Sequence, residues 1–280
     1  MSSLIFSSFA KINLGLKIIN KRVDGYHNLY SLFLELDLHD TLTFEESEEF
    51  LLTTSDPSLP VNDTNLICKA YHAMLPHKTN AFPNYKVHME KVIPIGGGLG
   101  GGSSNAACAI LALNGLWKCN LTIQKLKETG AAIGADVAFF IEGGFQLAEG
   151  IGDRLTPVDP TPLTGLTFLL VVPDIYISTP WAYKSLNIHL QGENDVPKFA
   201  PLTMPVNWQL FENDFERVIR STYPEIDEIK SQLYASGAIF AGLSGSGSTV
   251  FGIFDTPELA QESSAQFSAC RTFITFLKTK

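Results

Sequence analysis

This sequence predicts an α+β protein of two domains, and three observations carry that reading. Strand-like alternation gathers in the first third of the chain. Helix-forming stretches follow a glycine-rich segment in the middle. Strands and helices then interleave around a tight Ser/Gly turn near the end. The length of 280 residues, 45% of them hydrophobic and 18% charged, suits a globular protein of one large or two ordinary domains.

Taken in order, residues 3–19 alternate as a strand or two, with Ile12, Leu14, Leu16 and Ile18 on one face. Asp24-Gly25 marks a tight turn. Residues 29–44 read as two strands separated near His39-Asp40, and Asp56-Pro57 and Leu59-Pro60 punctuate a loop. Asn65–Met74 reads as a helix, with Leu66, Ala70 and Met74 at fourfold spacing, and residues 85–89 alternate again. Helices are predicted over 104–117, with Ser103 or Ser104 as N-cap, and over 122–129, with Thr122 as N-cap and Gly130 as the C′ residue. Pro157, Pro160 and Pro162 mark a boundary, giving domains 1–158 and 159–280. Beyond it, Leu166–Val172 is a buried strand. Asp214 caps a helix bearing Phe215, Val218 and Ile219; Ile226, Ile229 and Leu233 continue the period after Pro224, and Gly237 ends it. Ala238–Gly242 and Thr249–Phe254 are strands around the Ser/Gly turn, Pro257 opens a helix, and Thr272–Leu277 is a closing strand.

The segment Pro94-Ile95-Gly96-Gly97-Gly98-Leu99-Gly100-Gly101-Gly102-Ser103-Ser104 stands apart, with six glycines in seven positions. Each costs roughly 0.5–1 kcal/mol relative to Ala in a regular element, so such a run is neither a stable helix nor an ordinary strand. It is bare backbone feeding a strong helix former, and a helix N-terminus behind a glycine loop suits a phosphate. Residues 92–117 carry no charge and space Gly97 and Gly101 as in a membrane packing motif, but Pro94 and the glycines oppose a spanning helix. A flexible linker would have polar flanks, and here an apolar helix follows. Gly96, Gly98 and Gly101 fit the dinucleotide signature, yet Pro94 interrupts the strand junction and no acid closes a second strand about 20 residues on. No Gly-Lys-Ser/Thr follows for a Walker A loop. A nucleotide-phosphate loop of another kind remains.

The net charge of −9, with no Lys/Arg run, opposes a nucleic-acid partner and leaves a small nucleotide open. Cys68, Cys108, Cys119 and Cys270 form no C-x-x-C pair, which points away from disulfide and zinc frameworks. Lys11 and Asn13 break the only apolar stretch near the start, so no signal peptide, no membrane and a cytoplasmic location are expected. Nothing in the sequence sets an oligomeric state. Asp136 sits among small and apolar residues after Gly134-Ala135; it reads either as a helix N-cap or as a carboxylate in a closed site.

Three segments in order, residues 8–14 (Ser-Phe-Ala-Lys-Ile-Asn-Leu), the glycine loop and residues 242–248 (Gly-Leu-Ser-Gly-Ser-Gly-Ser), together resemble the GHMP kinases across almost the whole chain. Finer features resemble the branch acting on a cytidyl diphosphate sugar alcohol: Asp24-Gly25-Tyr26-His27, the doubled triple glycine, Gly134-Ala135-Asp136-Val137, and Thr179-Pro180 with Tyr183. A homoserine- or mevalonate-type kinase is the alternative, and Tyr26-His27 discriminates, since those substrates carry no base. The resemblance implies an N-terminal domain like ribosomal protein S5, a ferredoxin-like C-terminal domain and an active site in the cleft between them. It implies ATP held by Pro94 to Ser104 (Ile95, Gly96, Gly97, Gly98, Leu99, Gly100, Gly101, Gly102 and Ser103 between), with Asn65, Leu66 and Lys91 at adenine-pocket positions. It implies Asp136 accepting the proton of the acceptor hydroxyl with Lys11 beside it. Tyr26 and Tyr183 would sandwich cytosine, His27 would read its edge, Asn13 the sugar-like moiety and Thr179 the diphosphate or the erythritol, while Gly245 and Ser246 would close on substrate or phosphates. Mg²⁺ is expected with ATP. The glutamate that some relatives use for it has no clear counterpart here.

Overall fold

The computed structural model of the chain describes residues 3–186, 199 and 201–278. They group into two units. One holds the chain up to Ala10, Leu38–Ile95 and Gly100–Gly143; the other holds Lys11–Asp37, Gly96–Leu99 and Gly144 onward. Strands β1 (Leu4–Lys21) and β2 (His27–Ser47) pair with each other and contribute to both units. Residues 29–44 therefore do not split near His39-Asp40. Asp40 is fully buried with its carboxylate satisfied by donors from elsewhere in the chain, so its turn preference is overridden.

In the first unit, the second half of β2 pairs antiparallel with β4 (Asn84–Glu90), Thr41 opposite Glu90, and β3 (Leu51–Thr54) runs parallel to β4. Helix α2 (Gly101–Leu116) packs against α1 (Leu66–Met74), α3 (Ile123–Ala131) and α4 (Val137–Glu142). Ala106, Ala107, Ala109 and Ala112 let those helices approach, and a helix this apolar all round belongs in an interior. The Trp117 ring sits edge-on to Tyr71 at 5.3 Å, and its Nε1 donates to the Pro83 carbonyl. Asn65 and Thr122 both act as N-caps, accepting from Ile67 N and Lys125 N. Ser103 and Ser104 do not: α2 starts at Gly101 behind Gly100. Gly100 has φ +70°, which glycine adopts at no steric cost, and this lets the helix begin earlier. Helix α3 likewise runs through Gly130 to Ala131.

In the second unit, the first half of β2 pairs with β5 (Phe145–Gly150), which pairs with β6 (Arg154–Pro157). A separate antiparallel sheet has the order β10-β7-β9-β8, built from β7 (Thr167–Val172), β8 (Phe240–Leu243), β9 (Val250–Phe254) and β10 (Arg271–Thr275). All six residues of β7, which lies between two strands, are buried, as its unbroken apolar run predicts. Helix α7 (Pro224–Ala235) packs on β8 and β9, and α8 (Pro257–Ser264) on β7, β9 and β10. Two short helices, α5 (Thr179–Ser185) and α6 (Glu216–Ile219), complete the unit. Asp214 does not cap α6. Its Oδ2 accepts from Ile18 N, while Asn213 Oδ1 accepts from Phe215 N at the start of the helix.

Candidate active site

The glycine loop is fixed by its carbonyl oxygens. In the second unit, Gly97 O accepts from Thr249 N (3.2 Å), Gly98 O from Ser244 Oγ (2.9 Å) and Leu99 O from Lys11 N (3.0 Å). Three consecutive acceptors are thus turned into the protein. In the first unit, the loop ends in α2, whose cap is a glycine with no side chain to bond the first turn. Among the described residues, no hydrogen bond uses the N–H of Gly101, Gly102 or Ser103. That leaves donors and the positive helix end for an anion. Pro94 is buried and Ile95 half-exposed at the loop's start.

The Ser/Gly turn beneath the loop is held by Asn213, whose Nδ2 donates to Leu243 O (2.9 Å) and Gly245 O (2.8 Å). Ser246 Oγ lies 2.8 Å from Thr179 Oγ1. The fit is tight: a Cβ on Gly98 would stand 2.2 Å from the Ser244 carbonyl oxygen, and one on Gly245 3.4 Å from Asn13 Oδ1. So Asn13, Thr179, Gly245 and Ser246 gather within this unit.

Lys11 and Asn13 are buried two residues apart on β1, on the same face. Lys11 Nζ donates to Asn13 Oδ1 (2.6 Å) and lies 4.9 Å above the Phe33 ring. Asn13 Nδ2 donates to Ser31 Oγ (3.0 Å), which donates to Gly15 O (2.7 Å). That chain fixes the amide so that its oxygen faces the ammonium.

Tyr26 and His27 follow the turn at Asp24, where Asp24 Oδ1 accepts from Tyr26 N. Tyr26 is 61% exposed. The ring lying against Tyr183 is that of His27, stacked at 4.8 Å and 23°, while Phe215 meets Tyr183 edge-on at 4.9 Å. Thr179 and Tyr183 stand on α5, capped by Ser178. Burial and the nearby Lys21 charge hold His27 below the ordinary histidine value of 6.5.

In the first unit, Asp136 occupies the N-cap position of α4 without making a capping hydrogen bond. Leu66 Cδ1 would lie 3.7 Å from a Cβ on Gly102, so α1 begins beside the loop's end. Lys91 Nζ lies 2.8 Å from Asp40 Oδ2 in a buried ion pair.

Comparison with known proteins gives the family. Residues 65–144 match the GHMP kinases N terminal domain and residues 202–270 the GHMP kinases C terminal domain. A 4-diphosphocytidyl-2-C-methyl-D-erythritol kinase of Chlorobium phaeobacteroides is 41% identical over 93% of this chain and 90% of its own. The enzyme of that name from Thermodesulfovibrio yellowstonii is 40% identical over 98% and 99%. The chain belongs to the 4-diphosphocytidyl-2-C-methyl-D-erythritol kinase family, within the GHMP kinases. A crystal structure of 4-(cytidine 5'-diphospho)-2C-methyl-D-erythritol kinase superposes with a TM-score of 0.82 at 29% identity, covering 99% of this chain and all of that one.

As a GHMP kinase the chain uses ATP as co-substrate. The N-terminal match contains Asn65, Leu66, Lys91, the loop and Asp136. The C-terminal match contains Asn213 and the Ser/Gly turn, while Lys11, Asn13, Tyr26, His27, Thr179 and Tyr183 lie outside both. Sequence reasoning missed Asn213, Ser244 and Thr249 as supports of this kinase's loop. Asn213 leaves one signal, the Asn-Asp pair before Phe215, in which either residue suits a helix start. Among the described residues no helix is long and apolar enough to cross a membrane, and no group of three or more His, Cys, Asp or Glu side chains could hold a metal.

Proposed function

We propose that the chain transfers the γ-phosphoryl group of ATP to the 2-hydroxyl of 4-diphosphocytidyl-2-C-methyl-D-erythritol, in the cytoplasm. The observation that carries the reaction is the loop. Three inward carbonyls lead into a glycine-capped helix, which suits a polyphosphate held by backbone N–H groups. The acceptor is taken from the relatives' name and from the His27–Tyr183 pair. Residues 94–104 hold the ATP phosphates, with Asn65, Leu66 and Lys91 toward adenine. Asp136 orients the acceptor hydroxyl and takes its proton. Lys11 offsets the charge of the transferring phosphoryl group. The transition state is loose, so positioning and charge dominate. Asn13, Thr179, Gly245 and Ser246 line the substrate, and Tyr26, His27 and Tyr183 take the cytosine. We place the functional division at Val158–Asp159, ATP side first.

Mg²⁺ fits this chemistry without a protein cage, because it keeps several waters and takes substrate phosphate oxygens with only one or two carboxylates as its other ligands. Phosphate oxygens and water would hold it, and it would neutralise charge between the ATP phosphates.

The test is ADP release on a panel of acceptors. Turnover with the cytidyl substrate alone is expected; turnover with homoserine or mevalonate and not with the cytidyl compound would overturn the reading. Tyr183→Ala should raise KM for the cytidyl substrate about 5- to 150-fold, from about 1–3 kcal/mol per stacked base. It should spare KM for ATP, and an equal rise in both would refute stacking.

His27, held below the ordinary value, stays neutral at neutral pH and offers the cytosine edge one donor and one acceptor. Protonation removes the acceptor. KM for the cytidyl substrate should therefore be flat at and above neutral pH and climb only as pH falls below 6.5. His27→Gln should lack that acidic limb. A limb that persists in the variant would assign it to another group.

A further inference from the structure

We propose that Asp40 is a positioning residue for the nucleotide: its carboxylate grips both stems of the phosphate loop at once. The inference rests on the reading that the loop holds ATP. Asp40 lies within β2, far from the loop in sequence, and is fully buried. Its Oδ1 accepts from Val92 N (2.7 Å) and Ile93 N (2.8 Å). Its Oδ2 accepts from Lys91 Nζ (2.8 Å) and from Asn105 Nδ2 (2.8 Å). Lys91 Nζ also donates to the Ile93 carbonyl. Asn105 Nδ2 donates further to Ser8 Oγ (2.9 Å), and Ser8 Oγ donates to Ser104 Oγ (2.8 Å).

Residues 91–93 enter the loop at Pro94, and Ser104 and Asn105 lie in the opening turns of α2 at its exit. One carboxylate therefore closes the neck of a segment rich in glycine, beside the packing of Ile93 at the entry against Gly101 at the exit. A buried carboxylate is tolerated when it is paired and hydrogen-bonded, and four donors meet it here. Apolar residues of the same volume would stabilise an interior at least as well as a buried ion pair. The network is therefore directional in its use: it sets where the entering strand and the first N–H groups of α2 stand relative to one another. Ser8, three residues before Lys11 on β1, lies on the same network.

The test uses the full-length enzyme and Asp40→Asn. The introduced amide can still accept from Val92 N and Ile93 N, but its nitrogen faces two donors, Lys91 Nζ and Asn105 Nδ2, and accepts from neither. The grip on α2 is lost while the entering stem is kept. ATP Kd by calorimetry and KM for ATP should rise about tenfold, with KM for the cytidyl substrate within about twofold, as expected for misplaced phosphate donors. Adding Asn105→Asp returns a carboxylate to the same cluster, able to accept from the introduced amide and from Lys91. It should restore ATP Kd to within about threefold of wild type. Asn105→Ala cuts only the exit stem and should raise ATP Kd in the same direction. A lower Tm with ATP Kd and both KM values unchanged in Asp40→Asn would overturn the proposal, as would equal rises in both KM values. If Asp40→Asn does not fold by circular dichroism, Asn105→Ala decides, and an unchanged ATP Kd there overturns it. Absence of ATP binding by the wild-type enzyme would instead overturn the reading of the loop.

Discussion

Asp136→Asn should lower kcat by about 10²–10⁴-fold, the range for a positioned acid–base group, while ATP Kd stays within about twofold of wild type. Asparagine keeps the shape and one acceptor oxygen but loses the charge and the proton affinity. At about 1.36 kcal/mol per factor of ten, the expected loss is about 3–5 kcal/mol of transition-state stabilisation. Asp136 stands at the N-cap position of α4 yet makes no capping hydrogen bond, so the start of that helix does not depend on its carboxylate. If the residue were a cap, the loss would appear in stability, at about 1 kcal/mol for a cap removed outright, and not in turnover. Steady-state ADP release, calorimetric ATP titration and a thermal melt separate the two. Retained kcat with a lowered Tm would make Asp136 a structural residue.

Gly98→Ala should reduce kcat/KM for ATP by about 100-fold or more, on the scale of an ångström-level misplacement in a reacting site. Two effects add. The φ of Gly98 is +77°, where a residue with a Cβ is strained by about 1–2 kcal/mol. The added carbon would also stand 2.2 Å from the Ser244 carbonyl oxygen, closer than any real contact. The obstacle is backbone in a turn pinned by Asn213, so it has no flexible end to move aside. The loop must shift instead, breaking the Ser244–Gly98 hydrogen bond. The protein should still fold, with a Tm lowered by only a few degrees by that strain, because Gly98 is only half-buried and its neighbours in β8 and β9 are untouched. An ATP Kd close to wild type by calorimetry would show that the loop tolerates the shift and is not the nucleotide's cradle.

What the sequence made legible were features carried by neighbours in the chain. The Asn65 and Thr122 caps each act within three residues, and the apolar run of β7 announces its own burial. The glycine loop and the Ser/Gly turn were visible for the same reason. The errors fall where distant partners decide. Asp40 looked like a break between two strands because its donors lie 51 to 65 positions away. Gly100 stands at the cap of α2 in place of the serines, and Ser104 instead accepts from Ser8, 96 positions away. The stacking of His27 on Tyr183 is likewise a contact through space that no local spacing reveals. The supports of the loop, Ser244, Thr249 and Asn213, are ordinary polar residues whose partners no local spacing reveals.

The inward carbonyls of Gly97, Gly98 and Leu99 also bear on the entropy of binding. A run of glycines is the most mobile backbone a chain can offer, and ordering it when a ligand arrives would weaken affinity. Here the bonds from Thr249, Ser244 and Lys11 belong to the polypeptide itself. The disorder of the loop is therefore given up during folding, and on the proposed reading a nucleotide would meet a loop already held in place.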